Sequence, residues 1–130
     1  MKKQKLTVAV ILLITVFLNI VGCSSSTKKL SLKEEIQGYW YDEESLMVYV
    51  FTDNEYLIYG LGTGITINGN YDINSKDIIL HSDYIDDKVF KQAEIQDDKL
   101  SFITQTGKKC EVSSISREKI DELLLMYDND

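Results

Sequence analysis

Hydrophobic and polar residues alternate through most of the middle of this chain, which is the pattern of half-buried β-strands. The clearest run covers residues 65–73, where apolar and polar side chains alternate for nine positions. Gly69 occupies one of the apolar positions and predicts a bulge or a sharp bend, as barrel corners require. Seven further short runs have strand character. The predicted strands are 38–42, 46–52, 55–60, 65–73, 77–82, 89–96, 99–104 and 109–115.

Short links between these runs predict how the strands pair. Antiparallel strands can be joined by tight turns, whereas parallel strands need long crossovers. Regular short strands with turn punctuation are typical of a sandwich or a barrel. An up-and-down barrel also removes exposed sheet edges. We therefore predict an all-β domain, an eight-stranded antiparallel up-and-down barrel.

A helical period precedes the first strand. Ser31 followed by Glu34 matches a capping box, so a brief helix is predicted over residues 30–37. Leu32 and Ile36 stand four residues apart and would share its buried face.

The helical period returns after the last strand. Residues 117–127 carry one apolar stripe at the i, i+3, i+4, i+7 spacing. This C-terminal helix is expected to pack on the barrel wall or to close one end. The stripe consists of Ile120, Leu123, Leu124 and Tyr127.

The first 22 residues differ from the rest of the chain. Lys2, Lys3 and Lys5 precede an uncharged, mainly apolar run over residues 6–21, which is typical of an export signal. The alternative is a retained membrane helix, but a bilayer span usually needs about 20 apolar residues.

The run Ile20-Val21-Gly22-Cys23 resembles the lipobox of bacterial lipoproteins. The resemblance implies that residues 1–22 are a signal peptide and that Cys23 becomes the first residue of the mature chain. It also implies a diacylglycerol on the Cys23 sulfur, and two acyl chains suffice for stable anchoring. Residues 23–29 would be a polar linker and residues 30–130 the domain. The expected location is extracytoplasmic, on the bacterial cell membrane.

Charge narrows the expected partners. The mature chain of 108 residues would carry 21 acidic and 11 basic residues, a net charge of −10. Nucleic acid is excluded as a partner, because its binding depends on Lys and Arg contacts to phosphates. Anionic lipid headgroups should also repel the domain. Membrane lipid is therefore expected as a partner only through acylated Cys23.

Cys110 is then the only other cysteine, so no internal disulfide can form in the mature chain. It shares a strand face with Val112, which predicts a buried, inert thiol. An exposed thiol that pairs with another chain is the alternative.

Four runs within the domain resemble the small lipocalin-like lipoproteins of bacteria. Gly38-Tyr39-Trp40 is similar to the Gly-x-Trp start of lipocalin-like domains, and residues 69–73, 78–80 and 98–102 add to the likeness. In that family the Trp plugs one end of the barrel, so Trp40 could be structural. The domain is shorter than a typical ligand-carrying lipocalin, and an eight-stranded interior is either filled or holds one small ligand.

Catalytic and metal-binding signals are weak. His81 is the only histidine and has no partner motif, so we predict a solvent-facing or hydrogen-bonded side chain. Asp83, Asp86 and Asp87 lack the spacing of a calcium loop, and residues 60–64 lack that of a phosphate-binding loop. No catalytic residue, metal or cofactor is predicted.

The aromatic residues are the main candidates for binding. Trp40, Tyr49, Tyr56 and Tyr71 are the candidate ligand-binding residues, with a role confined to the core as the alternative. Tyrosines that point inward would line an amphipathic cavity, and tyrosines that point outward would form a protein-binding face.

The predicted function is a non-enzymatic binding module for a small apolar ligand or a protein partner. The alternative is a protein–protein module of the cell envelope, an assembly factor or an inhibitor of an exported enzyme. This alternative rests on the acidic surface and the C-terminal stripe. A hydrolase is disfavoured, since no nucleophile–base pair is evident.

Overall fold

The alternating strands form a closed barrel, and their apolar side chains face its interior. The computed structural model describes residues 30–127, in which eight antiparallel strands pair in chain order and β8 closes onto β1. The predicted all-β, eight-stranded up-and-down barrel is confirmed. The elements are α1 (Leu32–Ile36), β1 (Gly38–Asp42), β2 (Met47–Phe51), β3 (Glu55–Gly60), β4 (Thr66–Asn74), β5 (Asp77–His81), β6 (Lys88–Gln96), β7 (Lys99–Ile103), β8 (Lys109–Ser114) and α2 (Arg117–Tyr127).

Gly69, for which the sequence predicts a bulge or a sharp bend, lies where β4 changes partners. Asn70 pairs with Glu55 of β3 and also with His81 of β5. A side chain at Gly69 would collide with the backbone carbonyl oxygen of His81. Glycine is therefore needed at this corner because the two strands approach too closely for a Cβ atom.

A separate register shift lies in β6, between Lys91 and Glu94. Gln92 within it adopts a φ of 52°, in the left-handed region. Its backbone amide donates to the Asp77 carboxylate at 3.1 Å, which compensates the lost ladder bond.

Helix α1 covers one end of the barrel, which we call the closed end. The predicted capping box is present, with Ser31 and Glu34 bonded reciprocally. Ile36 is fully buried against the core. The indole nitrogen of Trp40 donates to the Ile36 carbonyl at 2.8 Å, so the helix and β1 are fastened together.

Helix α2 packs on the outer wall, which resolves the two sequence-based alternatives. Ser116 caps it by accepting from the Lys119 amide at 3.2 Å. Ile120 and Leu123 are buried against outward-facing side chains of β2 and β3. The apolar stripe of α2 thus covers the outer face of strands that are apolar on both faces. The wall residues are Val48, Val50, Leu57 and Tyr59, with Leu61 beside them.

The export signal, the linker and Cys23 lie outside the described residues. Between residues 30 and 127, neither helix has the length and apolar character to cross a bilayer.

Candidate binding site at the open end of the barrel

The end of the barrel opposite α1 holds a cavity of about 380 Å³. We call it the mouth cavity, and we call this end the open end. It lies where β2, β4, β6 and β8 begin and where β3, β5 and β7 finish. Its apolar lining consists of Met47, Tyr49, Ile58, Ile67, Val89, Phe90, Phe102 and Cys110.

The alternation of side chains along each strand explains which residues line the mouth cavity. Met47 and Tyr49 are two apart on β2 and share a face, while their neighbour Val48 turns outward to the α2 side. Phe90 of β6 and Phe102 of β7 belong to the same inward set. Side chains from different strands therefore meet in one apolar chamber.

Three aromatic rings form a cluster in this chamber. The rings of Phe90 and Phe102 stack with centroids 4.1 Å apart and an interplanar angle of 17°. Tyr49 meets each of them edge-on, at centroid distances of 6.2 Å and 6.4 Å. The edge-on contacts of Tyr49 are a favoured geometry for aromatic pairs. The three rings together offer a preformed apolar surface.

Polar groups surround the entrance. Lys88 precedes the apolar run of β6, and residues 104–106 follow β7. The hydroxyls of Thr104 and Thr106 are 3.0 Å apart, within hydrogen-bonding distance. An apolar chamber with a few polar groups at its rim is typical of small-molecule sites.

Burial raises the pKa of two groups in the chamber, Tyr49 and Cys110. Desolvation raises the pKa of Tyr49 to about 12, with smaller contributions from Asp42 and Cys110. The phenol is therefore a hydrogen-bond donor at neutral pH. Desolvation also raises the pKa of the Cys110 thiol. A protonated thiol is a poor nucleophile, which disfavours covalent chemistry here.

The state of Cys110 differs from both sequence-based interpretations. Its thiol is half-buried, neither enclosed in the core nor freely exposed. It faces inward on β8, as does Val112, but Val112 lies deeper. The cysteine lies close to the mouth, and this is why it lines the cavity.

The four predicted aromatic residues fall in three places. Tyr49 lines the mouth cavity. Trp40 and Tyr71 are buried in the core, and the Tyr71 hydroxyl donates to the Thr52 carbonyl at 2.6 Å near the closed end. Tyr56 is also buried, and it borders a second cavity on the barrel wall. Only one of the four therefore touches the mouth cavity.

Sequence reasoning missed most of the chamber. Phe90 and Phe102 were placed in predicted strands but not among the candidate binding residues. Their signal was available, because both stand at inward positions of their strands. The sequence did not indicate that these positions meet Tyr49 at one end.

The other side chains considered for catalysis or metal binding are hydrogen-bonded or do not cluster. His81 is hydrogen-bonded, as predicted: its Nε2 lies 3.0 Å from Asp72 and its Nδ1 lies 3.0 Å from Asp87. Hydrogen bonds to Asp87 and then Asp72 raise the His81 pKa. No group of three metal-ligating side chains occurs within residues 30–127.

Comparison with known proteins does not assign this chain to a family. No protein-family model, no curated protein and no solved structure matches this chain. The functional assignment therefore depends on the barrel and its cavities.

Proposed function

We propose that this protein is a lipid-anchored, extracytoplasmic, non-enzymatic module that binds a small apolar molecule in the mouth cavity. The observation that carries the proposal is a preformed chamber of about 380 Å³, lined by stacked aromatic and aliphatic side chains. Small-molecule sites usually enclose roughly 300–1,000 Å³. The chamber is at the small end of that range, which favours one compact ligand.

The chemistry of the lining supports an apolar ligand. Among residues 30–127, no carboxylate lines the mouth cavity, and the one cation that does is Lys88, at the start of β6. Transfer of apolar surface from water into such a site is favourable by roughly 25 cal/mol per Å². The neutral phenol of Tyr49 can orient a ligand that carries one hydrogen-bond acceptor.

Binding rather than catalysis is supported by the state of the reactive groups. The Cys110 thiol has a raised pKa, and both ring nitrogens of His81 are occupied by carboxylates. A nucleophile needs an adjacent base or a lowered pKa to act at neutral pH. Neither group meets that condition.

The ligand proposal is tested by filling the mouth cavity. Residues 26–130, expressed without the leader, would be titrated with the lipophilic fluorophore N-phenyl-1-naphthylamine. The variant Ile67→Trp places a large ring in the mouth cavity and should abolish saturable binding. Thr66→Trp is the matched control, because Thr66 is exposed on the same strand and faces outward. Equal binding by the two variants, with both shown to be folded by circular dichroism, would exclude the mouth cavity as the site.

The anchor has its own test. Cells expressing the full chain would be labelled with a radioactive fatty acid, and the label should appear in the wild type and disappear in Cys23→Ala. A label that persists in the variant would contradict lipidation of Cys23. This test does not depend on the ligand.

A protein partner is the second candidate function. Leu125 and Met126 of α2 are 64% and 69% exposed although α2 is otherwise packed on the wall. The stripe that first suggested a docking helix is occupied by that packing, so only these two side chains remain. A photo-crosslinker at Leu125 in intact cells should capture a specific envelope protein if this function holds.

A further inference from the structure

A second cavity of about 520 Å³ lies on the barrel wall, away from the mouth cavity. Three segments line it: residues 55–57 of β3, residues 68–70 of β4 and residues 81–84 after β5. We call it the wall groove. It occurs where β4 leaves β3 and begins to pair with β5.

The shape of the wall groove follows from backbone geometry. Gly69 contributes no side chain at the point of closest approach between β4 and His81. The Ser82 hydroxyl accepts from the Tyr84 amide at 3.3 Å, which turns the chain after β5. The wall groove is thus bounded by backbone that is held in place.

His81 fastens the segment that forms one side of the wall groove. Its ring nitrogens contact Asp72 on β4 and Asp87 at the far end of the 82–87 loop, each at 3.0 Å. The contact with Asp87 joins the two ends of the loop, and the contact with Asp72 ties them to β4. A site formed by a tied loop is preorganised, which lowers the entropic cost of binding.

The side chains of the wall groove combine an aromatic ring with planar polar groups. Tyr84 is 89% exposed, an unusual state for so large a ring. Asn68 and Asn70 are exposed on β4, and Glu55 and Asp83 add carboxylates. Amides donate and accept hydrogen bonds, and carboxylates accept them.

This composition selects the class of ligand. Within the described part of the chain, no Lys or Arg lines the wall groove and two carboxylates do, so an anion would be repelled. A purely apolar molecule would leave the amides and carboxylates unpaired. A neutral sugar satisfies both sets of groups, because its ring has apolar C–H faces and its edge carries hydroxyls.

We propose that the wall groove binds a neutral oligosaccharide. One pyranose ring lies against the ring of Tyr84, and its hydroxyls bond to Asn68, Asn70 and the carboxylate of Glu55 or Asp83. The site is separate from the mouth cavity and does not depend on an apolar ligand there.

The test uses the full chain in dodecylphosphocholine micelles, a detergent without sugar. Amide NMR signals are followed during titration with triacetylchitotriose. Saturable shifts are expected in residues 55–57, 68–70 and 81–84. The anionic trimer trigalacturonate should leave these signals unchanged.

Two variants distinguish stacking of the sugar on Tyr84 from the general effect of removing an exposed side chain. Tyr84→Ala should weaken triacetylchitotriose binding roughly twofold to twelvefold, because an aromatic contact contributes about 0.5–1.5 kcal/mol. Leu125→Ala is the control, since it removes another exposed side chain that does not line the wall groove. Its affinity should equal that of the wild type.

Three results would overturn the proposal. The first is an absence of saturable shifts in the wall groove, and the second is equal affinity in Tyr84→Ala and Leu125→Ala. The third is a response of the wall groove to tetralysine and not to the sugar, which would assign it to a cationic peptide.

Discussion

The two ends of the barrel are made from the same alternating strands, yet they satisfy their polar groups differently. At the closed end, the Trp40 indole bonds to Ile36 and the Tyr71 hydroxyl bonds to Thr52, each to a backbone carbonyl. At the open end, Tyr49 and Cys110 line a chamber. A buried polar group that is bonded within the protein stabilises the fold, whereas one that faces a cavity can serve a ligand. The comparison separates the aromatic residues that are bonded within the fold from those that line the mouth cavity.

The largest expected effect tests this separation through stability. Trp40→Ala should lower the free energy of unfolding by about 3–5 kcal/mol, because it leaves a cavity under α1 and removes a buried hydrogen bond. Tyr49→Ala should cost at most about 2 kcal/mol, since its site is already open on one side. Urea unfolding followed by far-ultraviolet circular dichroism measures both values. Equal losses would remove the distinction between the two ends.

An intermediate effect is expected at the corner between the ends. Gly69→Ala should lower the free energy of unfolding by about 1–3 kcal/mol, because the added methyl group meets the backbone of His81. Asn70→Ala is the matched control on the exposed neighbour and should change stability by less than about 0.5 kcal/mol. Thermal unfolding of the two variants gives the comparison. A neutral Gly69→Ala would show that the corner can relax.

The smallest effect concerns the loop near the open end. Hydrogen bonds to Asp87 and then Asp72 raise the His81 pKa above 6.5. A raised folded-state pKa means that the contribution of His81 to stability is complete below pH 6.5 and is lost as pH rises through the higher folded-state value. NMR titration of His81 should therefore give a pKa above 6.5.

Two variants sharpen that titration. Asp87→Asn should lower the His81 pKa more than Asp72→Asn does, because the Asp87 hydrogen bond is the larger cause. A His81 pKa that is unchanged in both variants would show that the two contacts do not persist in solution.

The sequence predicted the elements well because their signals are local. All eight strands and both helices were expected, with boundaries within two residues of those observed. Alternation is visible along the chain, and the Ser31–Glu34 capping box spans only four residues. Local patterns therefore predicted this barrel without any knowledge of long-range contacts.

The candidate site was less predictable because its position depends on register. Alternation shows that Tyr49 and Tyr71 both point inward, but it does not show which end of the barrel each one occupies. That depends on pairings such as Tyr49↔Ile58 and Tyr71↔Leu80. The contact of His81 with Asp72 has the same origin, since it depends on the pairing of β4 with β5. The sequence around Gln92 does not predict its positive φ, which arises from the pairing of β6 with β7.

Closure of the barrel has a consequence for the order in which the domain folds. Trp40 of β1 pairs with Ser114 of β8, so the last seam joins residues near opposite ends of the domain. Loop-closure entropy makes such distant pairing slow. Strands β2 and β3 are apolar on both faces. Their outer apolar side chains are covered only by α2, which follows β8 in the chain. We therefore expect folding to be limited by the final strand and to begin only when nearly the whole chain is present.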